Sequence, residues 1–474
     1  MAEKIRSSNP FDPADLVAEV GPTSAAAVET ALEAALEAQV AWAADAMLRS
    51  RSLTALGEAV ESRRDQFAEL MVREVGKPVA EAEGEVERAL AILRFYSQVA
   101  LDPDGETLPG STPGARVVVR REPLGVILAI CPWNFPLAIP LWKAAPALAY
   151  GNSVLIKPAS PAIATADLLQ ECVAGALPEG VLGGLVMPGS QTGALLDDER
   201  IAAVTFTGST ATGISVAERM ARRAAPAQAE MGGQNPAIVL DDADLDAAAA
   251  AIVGGAMGYA GQKCTATRRV VALAEVADQL EQKLAELVLG LEVGDPRRAG
   301  VTVGPLISAG AAEEFEDAVA AALAAGATES ARAAVAGGAA GNGAHGGPSA
   351  DGHFVSPALL REDDPTATVN QEETFGPLLT FLRVEDDAAA VAAANATRFG
   401  LVGAVHGRDL GRAEAIAGRL DCGLRRINAP TPGVDYYAPF GGEGRSSFGP
   451  REQGRAAREF FTSSSTTTIL PAPG

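Results

Sequence analysis

The sequence predicts an α/β fold with two domains, each built on a largely parallel sheet. At 474 residues, of which 48% are hydrophobic and 21% charged, the chain can bury two cores. Apolar runs typical of buried strands recur along it, separated by segments of helical composition with Gly or Pro at their ends. Such alternation is typical of parallel sheets covered by helices. The runs lie at residues 126–130, 154–156, 182–186, 202–206 and 237–240.

Two segments precede or overlap the first of these strands. Residues 24–100 are rich in Ala, Leu, Glu and Arg, with apolar residues three or four positions apart, which predicts several amphipathic helices. Residues 124–142 contain no charged residue and are nearly long enough to cross a bilayer. Three prolines there would each remove a helix hydrogen bond, and Asn134 would be costly in lipid, so we predict a buried strand leading into a loop.

A second alternating region extends from about residue 245 to residue 440. Its strand candidates are residues 268–276 and 378–384. Residues 320–352 are rich in Ala and Gly and poor in large apolar residues, which predicts a helix followed by a surface loop. We therefore expect a second α/β domain with a variable segment inside it.

Charge and composition exclude several classes of protein. The formal net charge of -22 opposes binding to phosphate backbones, so we predict no nucleic-acid partner. The N-terminus lacks the apolar core of a secretory signal, and the four cysteines are widely spaced, so a reducing cytoplasm is expected. None of the three histidines has a Cys or His at metal-ligand spacing, which predicts no metal site.

Two glycine motifs compete as dinucleotide sites. Residues 341–346 match the usual fingerprint, but low-complexity sequence precedes them and Gly-Pro follows where a helix should begin. Residues 206–213 are the better candidate, because they follow a predicted strand and precede a predicted helix at 214–225. Backbone amides at that helix start could hold a pyrophosphate, with a plain structural turn as an equal alternative.

Cys264 and Glu230 are the residue types that acyl transfer through a thioester requires. Cys264 lies in Gly-Gln-Lys-Cys-Thr at residues 261–265, and Glu230 lies in Glu-Met-Gly-Gly at residues 230–233. A thiolate attacks a carbonyl carbon, and a carboxylate can later deprotonate the water that cleaves the thioester. Taken singly, a buried inert cysteine and a solvated glutamate are the commoner alternatives.

With these motifs, the chain resembles the NAD(P)-dependent aldehyde dehydrogenases along nearly its whole length. The motifs that carry the resemblance occur in order at residues 132–136, 157–158, 206–209, 230–233, 261–264, 372–377 and 439–442. Within that family, residues 428–442 and 449–455 look like the α-ketoglutarate semialdehyde (2,5-dioxovalerate) dehydrogenases. One departure lies at residues 443–447, where relatives usually carry a lysine, and we expect it to leave the catalytic positions unaffected.

The resemblance implies a domain arrangement. A Rossmann-like cofactor-binding domain would comprise residues 1–104 and 122–232, and an α/β catalytic domain residues 233–445. A small β oligomerisation extension would comprise residues 105–121 and 446–474. The composition of these segments favours extended strands. Exposed strand edges are normally covered, here by another subunit, so we expect a homodimer or homotetramer.

The resemblance also assigns catalytic roles. Cys264 would be the nucleophile, and Glu230 would activate the hydrolytic water. The Asn134 side-chain amide and the Cys264 backbone amide would hold the oxyanion. Lys157 is grouped with these catalytic residues as well as with the cofactor contacts.

For the cofactor, the resemblance assigns Gly208 and Ser209 to the pyrophosphate and Glu373 and Phe375 to the nicotinamide ribose and ring. It assigns Lys157 to the adenine ribose, and Trp133 would line the same cleft. Ser160 stands where NAD-restricted relatives often carry a glutamate that repels a 2′-phosphate, so NADP is favoured over NAD, with dual use as the rival. Alternatively, Ser160 merely caps the helix beginning near Pro161.

The reaction implied is oxidation of a small aldehyde, with a dicarboxylate semialdehyde favoured, to its acid. Lys263 or Arg425 could pair with the substrate carboxylate, and the sequence does not choose between them. A CoA-acylating aldehyde dehydrogenase is the enzymatic alternative, which the base Glu230 disfavours. A catalytically silent cofactor-binding subunit is the alternative of a different class, against which the complete set of Asn134, Glu230 and Cys264 argues.

Overall fold

The computed structural model describes residues 3–335 and 352–471, and its chain begins with a hairpin and four helices. These elements are β1 (Ile5–Asn9), β2 (Asp12–Val20), α1 (Ala25–Ala44), α2 (Ala46–Ser62), α3 (Arg64–Val75) and α4 (Val79–Val99). The helices expected at residues 24–100 are confirmed. The antiparallel hairpin was not predicted, because β1 is short and mostly polar and the apolar residues of β2 do not alternate with polar ones.

Two strands of an outlying sheet come next, followed by the first parallel sheet. They are β3 (Gly105–Pro109), β4 (Arg116–Pro123), β5 (Val126–Ile130), α5 (Ala138–Ala149), β6 (Ser153–Lys157), α6 (Ile163–Ala176), β7 (Leu182–Gly184), α7 (Thr192–Asp197), β8 (Ile201–Thr207), α8 (Thr210–Ala221) and β9 (Ala227–Glu230). Strands β5 to β9 pair in parallel in the order β9-β8-β5-β6-β7. The strands predicted between residues 126 and 206 are thereby confirmed, including the buried strand and loop at 124–142.

The second sheet belongs to the second half of the chain. Its elements are β10 (Asn235–Val239), α9 (Leu245–Met257), β11 (Thr267–Leu273), α10 (Ala274–Leu289), α11 (Ala309–Ala325), β12 (Thr328–Arg332), β13 (Ala358–Arg361), α12 (Thr368–Gln371), β14 (Leu378–Val384), α13 (Asp387–Asn395), β15 (Phe399–Gly400), β16 (Val402–His406), α14 (Leu410–Ala417) and β17 (Leu424–Ile427). Seven strands pair in the order β12-β13-β14-β11-β10-β16-β17, and all pairs except β12 with β13 are parallel. The expected α/β fold is therefore confirmed.

The surface loop expected after α11 is only partly right. Residues 328–332 form the edge strand β12, which pairs with β13. This strand is mostly polar, and its hydrogen-bonding partner lies about thirty residues later, so local composition could not reveal it. The glycine fingerprint at 341–346 lies outside the described residues.

The chain ends with four short elements: β18 (Glu443–Gly444), β19 (Ser447–Phe448), α15 (Arg458–Phe461) and β20 (Thr462–Ile469). Strand β19 adds to the first sheet, antiparallel to β9, and Phe460 and Phe461 belong to the core under that sheet. Strand β20 pairs with β4, which pairs with β3, to make the outlying three-stranded sheet. The segment from 447 to 461 therefore packs with the first sheet, and only the last strand joins the predicted extension.

The strand order of the first sheet creates a crevice. From β5 the chain adds β6 and β7 on one side and then returns to place β8 on the other side of β5. The loops that follow β5 and β8 diverge at this reversal of strand order, which is where α/β sheets bind ligands. The loop after β5 carries Trp133 and Asn134, and the loop after β8 carries Gly208 and Ser209.

No helix among residues 3–335 and 352–471 is long and apolar enough to cross a membrane. In the same residues, no group of three or more His, Cys, Asp or Glu side chains is arranged to hold a metal ion.

Candidate active site

A cavity of about 550 Å³ lies at the crevice of the first sheet, against the loop that precedes β11. Seven of the predicted site residues line it: Trp133, Asn134, Gly208, Ser209, Cys264, Glu373 and Phe375. The Trp133 and Phe375 rings meet edge to face, with centroids 5.9 Å apart. The three remaining predicted residues, Lys157, Ser160 and Glu230, do not line this cavity.

The loop that carries Cys264 has an unusual backbone. Tyr259, Ala260 and Gly261 all have left-handed φ values, of 54°, 51° and 68°. Such conformations are costly for residues with a Cβ and persist only where surrounding contacts impose them. At Gly261 a Cβ would lie 2.2 Å from the Gly376 carbonyl oxygen, so glycine is required there. Strain and close packing together fix the turn into Cys264.

Hydrogen bonds fix the backbone at Cys264 itself. The side-chain amide of Asn235 donates to the carbonyl oxygens of Cys264 and Ala266, both at 2.8 Å. Asn235 begins β10, five residues after Glu230, so it ties the nucleophile loop to the strand that follows the base. The sequence analysis missed this residue.

The Cys264 thiol is partly exposed to the cavity, yet its pKa is raised to about 12. Burial is the main cause, and the nearby carboxyl groups of Glu373 and Glu230 add to it. The backbone N–H groups of Cys264 and Thr265 oppose this rise by favouring the thiolate. In the ligand-free protein at neutral pH the sulfur therefore keeps its proton, which must leave when the sulfur attacks a carbonyl.

Asn134 is positioned to donate from the opposite wall. It is 5% exposed, and its Nδ2 donates to the Gln262 carbonyl oxygen at 2.9 Å. One Nδ2 hydrogen is thereby used, and the other is available to an oxyanion beside Cys264. Glu85 of α4 accepts from the N–H groups of Leu137 and Ala138, both at 2.9 Å, and so anchors the loop to the start of α5.

Glu230 ends β9 and is turned away from the cavity. It is 2% exposed, and its Oε2 accepts a hydrogen bond from the Ser447 hydroxyl at 2.5 Å. Burial is the main cause that raises its pKa, followed by repulsion from Glu452, while Ser447, Lys143 and Arg451 act in the opposite direction. Glu230 has to rotate before it can reach a group bound to Cys264.

Behind Glu230 lies a buried polar cluster, which we call the base cluster: Glu230, Lys143, Thr205, Ser447 and Glu452. Lys143 Nζ donates to Glu452 at 2.5 Å, to Thr205 Oγ1 at 3.0 Å and to the Phe206 carbonyl at 3.1 Å. The Trp142 indole N–H donates to the second Glu452 oxygen at 2.7 Å.

The sequence analysis did not single out the base cluster beyond Glu230. One signal was available, because Lys143 is the only charged residue between Glu122 and Lys157. A lone charge in an apolar segment is rarely buried without a partner. Its partner Glu452 was not predictable from spacing, since it lies 309 residues further on. The departure at 443–447 does contact one of the predicted catalytic residues, because the Ser447 hydroxyl donates to Glu230.

Glu373 lies against the backbone that follows Glu230. Its Oε1 accepts from the Gly233 N–H at 3.2 Å, and a Cβ on Gly232 would lie 1.8 Å from its Oε2, so this glycine makes room for the carboxyl group. Burial raises the pKa of Glu373 to about 7, and the buried Arg268 opposes that rise. Glu373 can therefore change its charge near neutral pH.

The segment from β8 to α8 fits a nucleotide pyrophosphate. Ser209 is the N-cap of the 12-residue helix α8, and its hydroxyl accepts from the Thr212 N–H. Gly208 has no room for a side chain, because a Cβ would lie 2.6 Å from the Phe206 ring. A helix start that faces a cavity with exposed amides favours a phosphate group. Residues 206–213 therefore have the strand, turn and helix start at a cavity that a cofactor motif needs.

Lys157 and Ser160 lie beyond the end of β6. Lys157 is buried, burial lowers its pKa, and within the described part of the chain it forms no ion pair. Ser160 begins a single 3-10 turn and does not cap the next helix. Glu74 caps α6 instead, accepting from the N–H groups of Ala164 and Thr165 at 2.7 and 2.9 Å. The capping alternative for Ser160 is therefore wrong.

Comparison with known proteins gives one consistent family. The family model described as "Aldehyde dehydrogenase family" matches residues 1–467. The chain is 38% identical to the alpha-ketoglutaric semialdehyde dehydrogenase of Bacillus subtilis (strain 168), covering 99% of this chain and 95% of the relative. It is 35% identical to the alpha-ketoglutarate semialdehyde dehydrogenase of Haloferax volcanii, covering 97% of this chain and 94% of the relative.

Solved structures give the same result. The NADP-dependent glyceraldehyde-3-phosphate dehydrogenase of Bacillus halodurans C-125, complexed with NADP, has a TM-score of 0.90 at 35% identity, with 99% of this chain and 96% of that chain covered. The betaine aldehyde dehydrogenase of Staphylococcus aureus, as a point mutant in complex with NAD+, has a TM-score of 0.93 at 28% identity, with 100% and 94% covered. The fold is thus shared with one solved structure that holds NADP and another that holds NAD+.

Proposed function

The chain belongs to the aldehyde dehydrogenase family, and we propose that it oxidises a dicarboxylate semialdehyde such as 2,5-dioxovalerate to the corresponding acid. As a member of that family it is an NAD(P)-dependent aldehyde dehydrogenase. The observation that carries the proposal is the single cavity in which Cys264 and Asn134 meet the helix start at Gly208 and Ser209. A nucleophile, an oxyanion donor and an anion-binding helix end are the parts that this oxidation needs.

The proposed reaction begins at the Cys264 sulfur, which gives its thiol proton to solvent water in the cavity and attacks the aldehyde carbon. The free Asn134 Nδ2 hydrogen and the Cys264 backbone N–H stabilise the oxyanion that forms. The chemistry supplied by the nicotinamide group, when bound, is acceptance of hydride, which leaves a thioester on the sulfur. Gly208 and Ser209 would hold its pyrophosphate, and Glu373 and Phe375 its ribose and ring.

Release of the acid requires a base. Glu230 rotates from the base cluster toward Cys264, deprotonates a water molecule and so cleaves the thioester. Glu230 carries the proton that it gains back to its rest position beside Ser447, where the carboxylate of Glu452 is the neighbouring group that can accept it. This use of water disfavours the CoA-acylating alternative, which needs no such base.

The substrate class is supported by the relatives, three of which carry names for oxidation of this semialdehyde. The carboxylate partner within this chain stays open. Lys263 is already paired with Glu81 at 2.5 Å, and Arg425 is exposed and donates to the Leu420 carbonyl. Each would have to exchange a present partner for the substrate carboxylate.

A panel of aldehydes tests the substrate class. We expect 2,5-dioxovalerate and succinic semialdehyde to give at least about tenfold higher kcat/KM than benzaldehyde and short alkanals, because one ion pair contributes about that much. Product formation should not depend on added CoA. Equal efficiency across charged and neutral aldehydes would remove the substrate assignment, and strict dependence on CoA would replace the hydrolytic mechanism.

For the cofactor we favour NADP, with use of both nucleotides as the rival. The support is the hydroxyl of Ser160 near Lys157, a cation with no carboxylate bonded to it in the described residues, since both can hydrogen-bond a phosphate. Steady-state kinetics with each nucleotide decide this. Catalytic efficiency ten times better with NAD than with NADP would overturn it.

A homodimer or homotetramer is the proposed assembly, through the outlying sheet of β3, β4 and β20. Leu108, Ile469 and Leu470 are 43%, 40% and 63% exposed there, and β20 leaves one edge unpaired within the described chain. Exposed strand edges with apolar residues are normally covered. A monomer in light scattering at micromolar concentration would contradict this.

We also propose a cytoplasmic location, supported by four cysteines that are all free. Recovery of the activity outside the cytosolic fraction of the source cells would contradict it.

A further inference from the structure

Ser447 donates a hydrogen bond to Glu230, and this hydrogen bond has no part in the proposed reaction. The two residues are cross-strand partners on β19 and β9. The Ser447 hydroxyl oxygen lies 2.5 Å from Glu230 Oε2 and accepts a hydrogen bond from the Gly442 N–H at 2.6 Å. A hydroxyl has one proton. Because the Gly442 N–H occupies a lone pair of this oxygen, the hydroxyl proton points to the Glu230 carboxylate.

The other Glu230 oxygen faces the same segment of chain. A Cβ on Gly441 would lie 2.9 Å from Oε1, so both carboxylate oxygens are directed at residues 441–447 and not at the Cys264 cavity. Such a hydrogen bond favours the ionised carboxylate, which accepts it, over the neutral acid.

Among the groups around Glu230, Ser447 is the one that stabilises its ionised carboxylate by a hydrogen bond. Glu452 repels a charge on Glu230, whereas Lys143 on α5 and Arg451 after β19 attract it. Lys143 is hydrogen-bonded to Glu452, and Arg451 to Glu443, so both cations already have a carboxylate. Cys264 faces Glu230 from the nucleophile loop and is neutral. In the described chain Ser447 is the side chain that hydrogen-bonds Glu230.

We propose that Ser447 is a positioning residue, which keeps Glu230 ionised and turned away from Cys264 until a thioester is ready for hydrolysis. This inference rests on the proposed function, in which Glu230 is the base that activates water. A buried carboxyl group otherwise favours its protonated form, which cannot accept a proton. Removal of the Ser447 hydroxyl should therefore raise the pH at which hydrolysis of the acyl-enzyme reaches half of its maximal rate.

The experiment measures decay of the acyl-enzyme, formed from 4-nitrophenyl acetate without cofactor, after the burst of 4-nitrophenol. Rates are recorded from pH 6 to 9 for the wild type and for Ser447→Ala, Ser447→Thr and Ser446→Ala. Ser446→Ala is the matched control, because Ser446 lies next to Ser447 but its hydroxyl accepts from the Gly400 N–H. The burst amplitude counts folded, reactive sites in each variant.

In Ser447→Ala we expect the midpoint of the deacylation profile to rise by about one pH unit, the size expected when a charged group loses one hydrogen bond. Because Ser447 contacts Glu230 only in its rest position, which Glu230 leaves in order to act, the rate well below the midpoint should stay near that of the wild type, and the rate above it should not fall. Ser447→Thr and Ser446→Ala should retain the wild-type midpoint. If Ser447→Ala gives no burst, Ser447→Gly removes the same hydroxyl and takes its place.

A wild-type midpoint in the variant without the hydroxyl would overturn the role of Ser447. A Glu230→Gln variant separates this result from failure of the proposed function. Slow deacylation in Glu230→Gln together with an unshifted Ser447→Ala profile rejects only the inference about Ser447. Wild-type deacylation in Glu230→Gln would reject Glu230 as the base, and with it both proposals.

Discussion

The two sides of the site differ in how their buried polar groups are satisfied. On the cavity side, Asn134 Oδ1 and Arg268 Nε have no hydrogen-bond partner within residues 3–335 and 352–471. In the base cluster, Lys143 Nζ has three acceptors, and each carboxylate oxygen of Glu452 has a donor. Unpaired buried groups cost free energy, so we infer that a bound ligand completes Asn134 on the cavity side, whereas protein groups alone satisfy Lys143 and Glu452 in the base cluster.

The largest effect is expected on the cavity side, from removal of the proposed nucleophile. Cys264→Ala should lower kcat by at least about 10⁴-fold, because no other group can form the thioester. The fold should be unchanged, because the cavity side contributes little packing that depends on this sulfur. Steady-state NAD(P)H production measures the loss. Cys172→Ala, which removes a buried thiol in α6 remote from the cavity, is the matched control and should keep full activity.

Loss of the oxyanion donor should have the next largest effect. Asn134→Ala is expected to lower kcat by about 10² to 10³-fold while the affinity for cofactor stays near that of the wild type. The Gln262 carbonyl loses its partner, so thermal melting is recorded beside the kinetics. A variant that lost cofactor affinity and stability but kept kcat would place Asn134 in the scaffold.

A substitution in the base cluster should lower the stability of the protein more than its activity. Lys143→Met leaves Glu452 buried without its cation and should destabilise the protein by roughly 3–5 kcal/mol, measured by urea unfolding. Adding Glu452→Gln should restore part of that loss. Lys283→Met removes the exposed ion pair with Asp246 and should leave the unfolding midpoint unchanged. Equal, small effects of the buried and exposed changes would remove the contrast between the two sides.

The smallest expected effect is a pH dependence of cofactor binding. In the proposed site, Glu373 accepts cofactor hydroxyls more strongly when it is ionised, and its raised pKa of about 7 means that the ligand-free carboxyl group is protonated below that pH. The cofactor Kd should therefore rise by at most about tenfold per pH unit below 7 and stay constant above it. Fluorescence titration at several pH values measures this. Glu373→Gln should flatten the profile, whereas Glu372→Gln, beside it and paired with Arg398, should not.

Local patterns predicted much of the fold. The runs at 126–130 and 378–384 coincide with β5 and β14, because buried parallel strands are continuous apolar segments that can be recognised in isolation. The strands β1, β2 and β12 escaped prediction, since β1 and β12 are mostly polar, β2 lacks a regular alternation, and all three pair with strands that local sequence does not reveal.

By itself the sequence determined the two-sheet α/β fold, the family and the seven residues that line the cavity, since each of these residues lies in a short sequence motif. Only the tertiary structure decided that Glu230 faces Ser447, that Lys143 pairs with Glu452, and that Glu74 caps α6 in place of Ser160. The members of these contacts are 217, 309 and 91 residues apart. Local periodicity carries no information about such distances, which depend on how the sheets and helices pack.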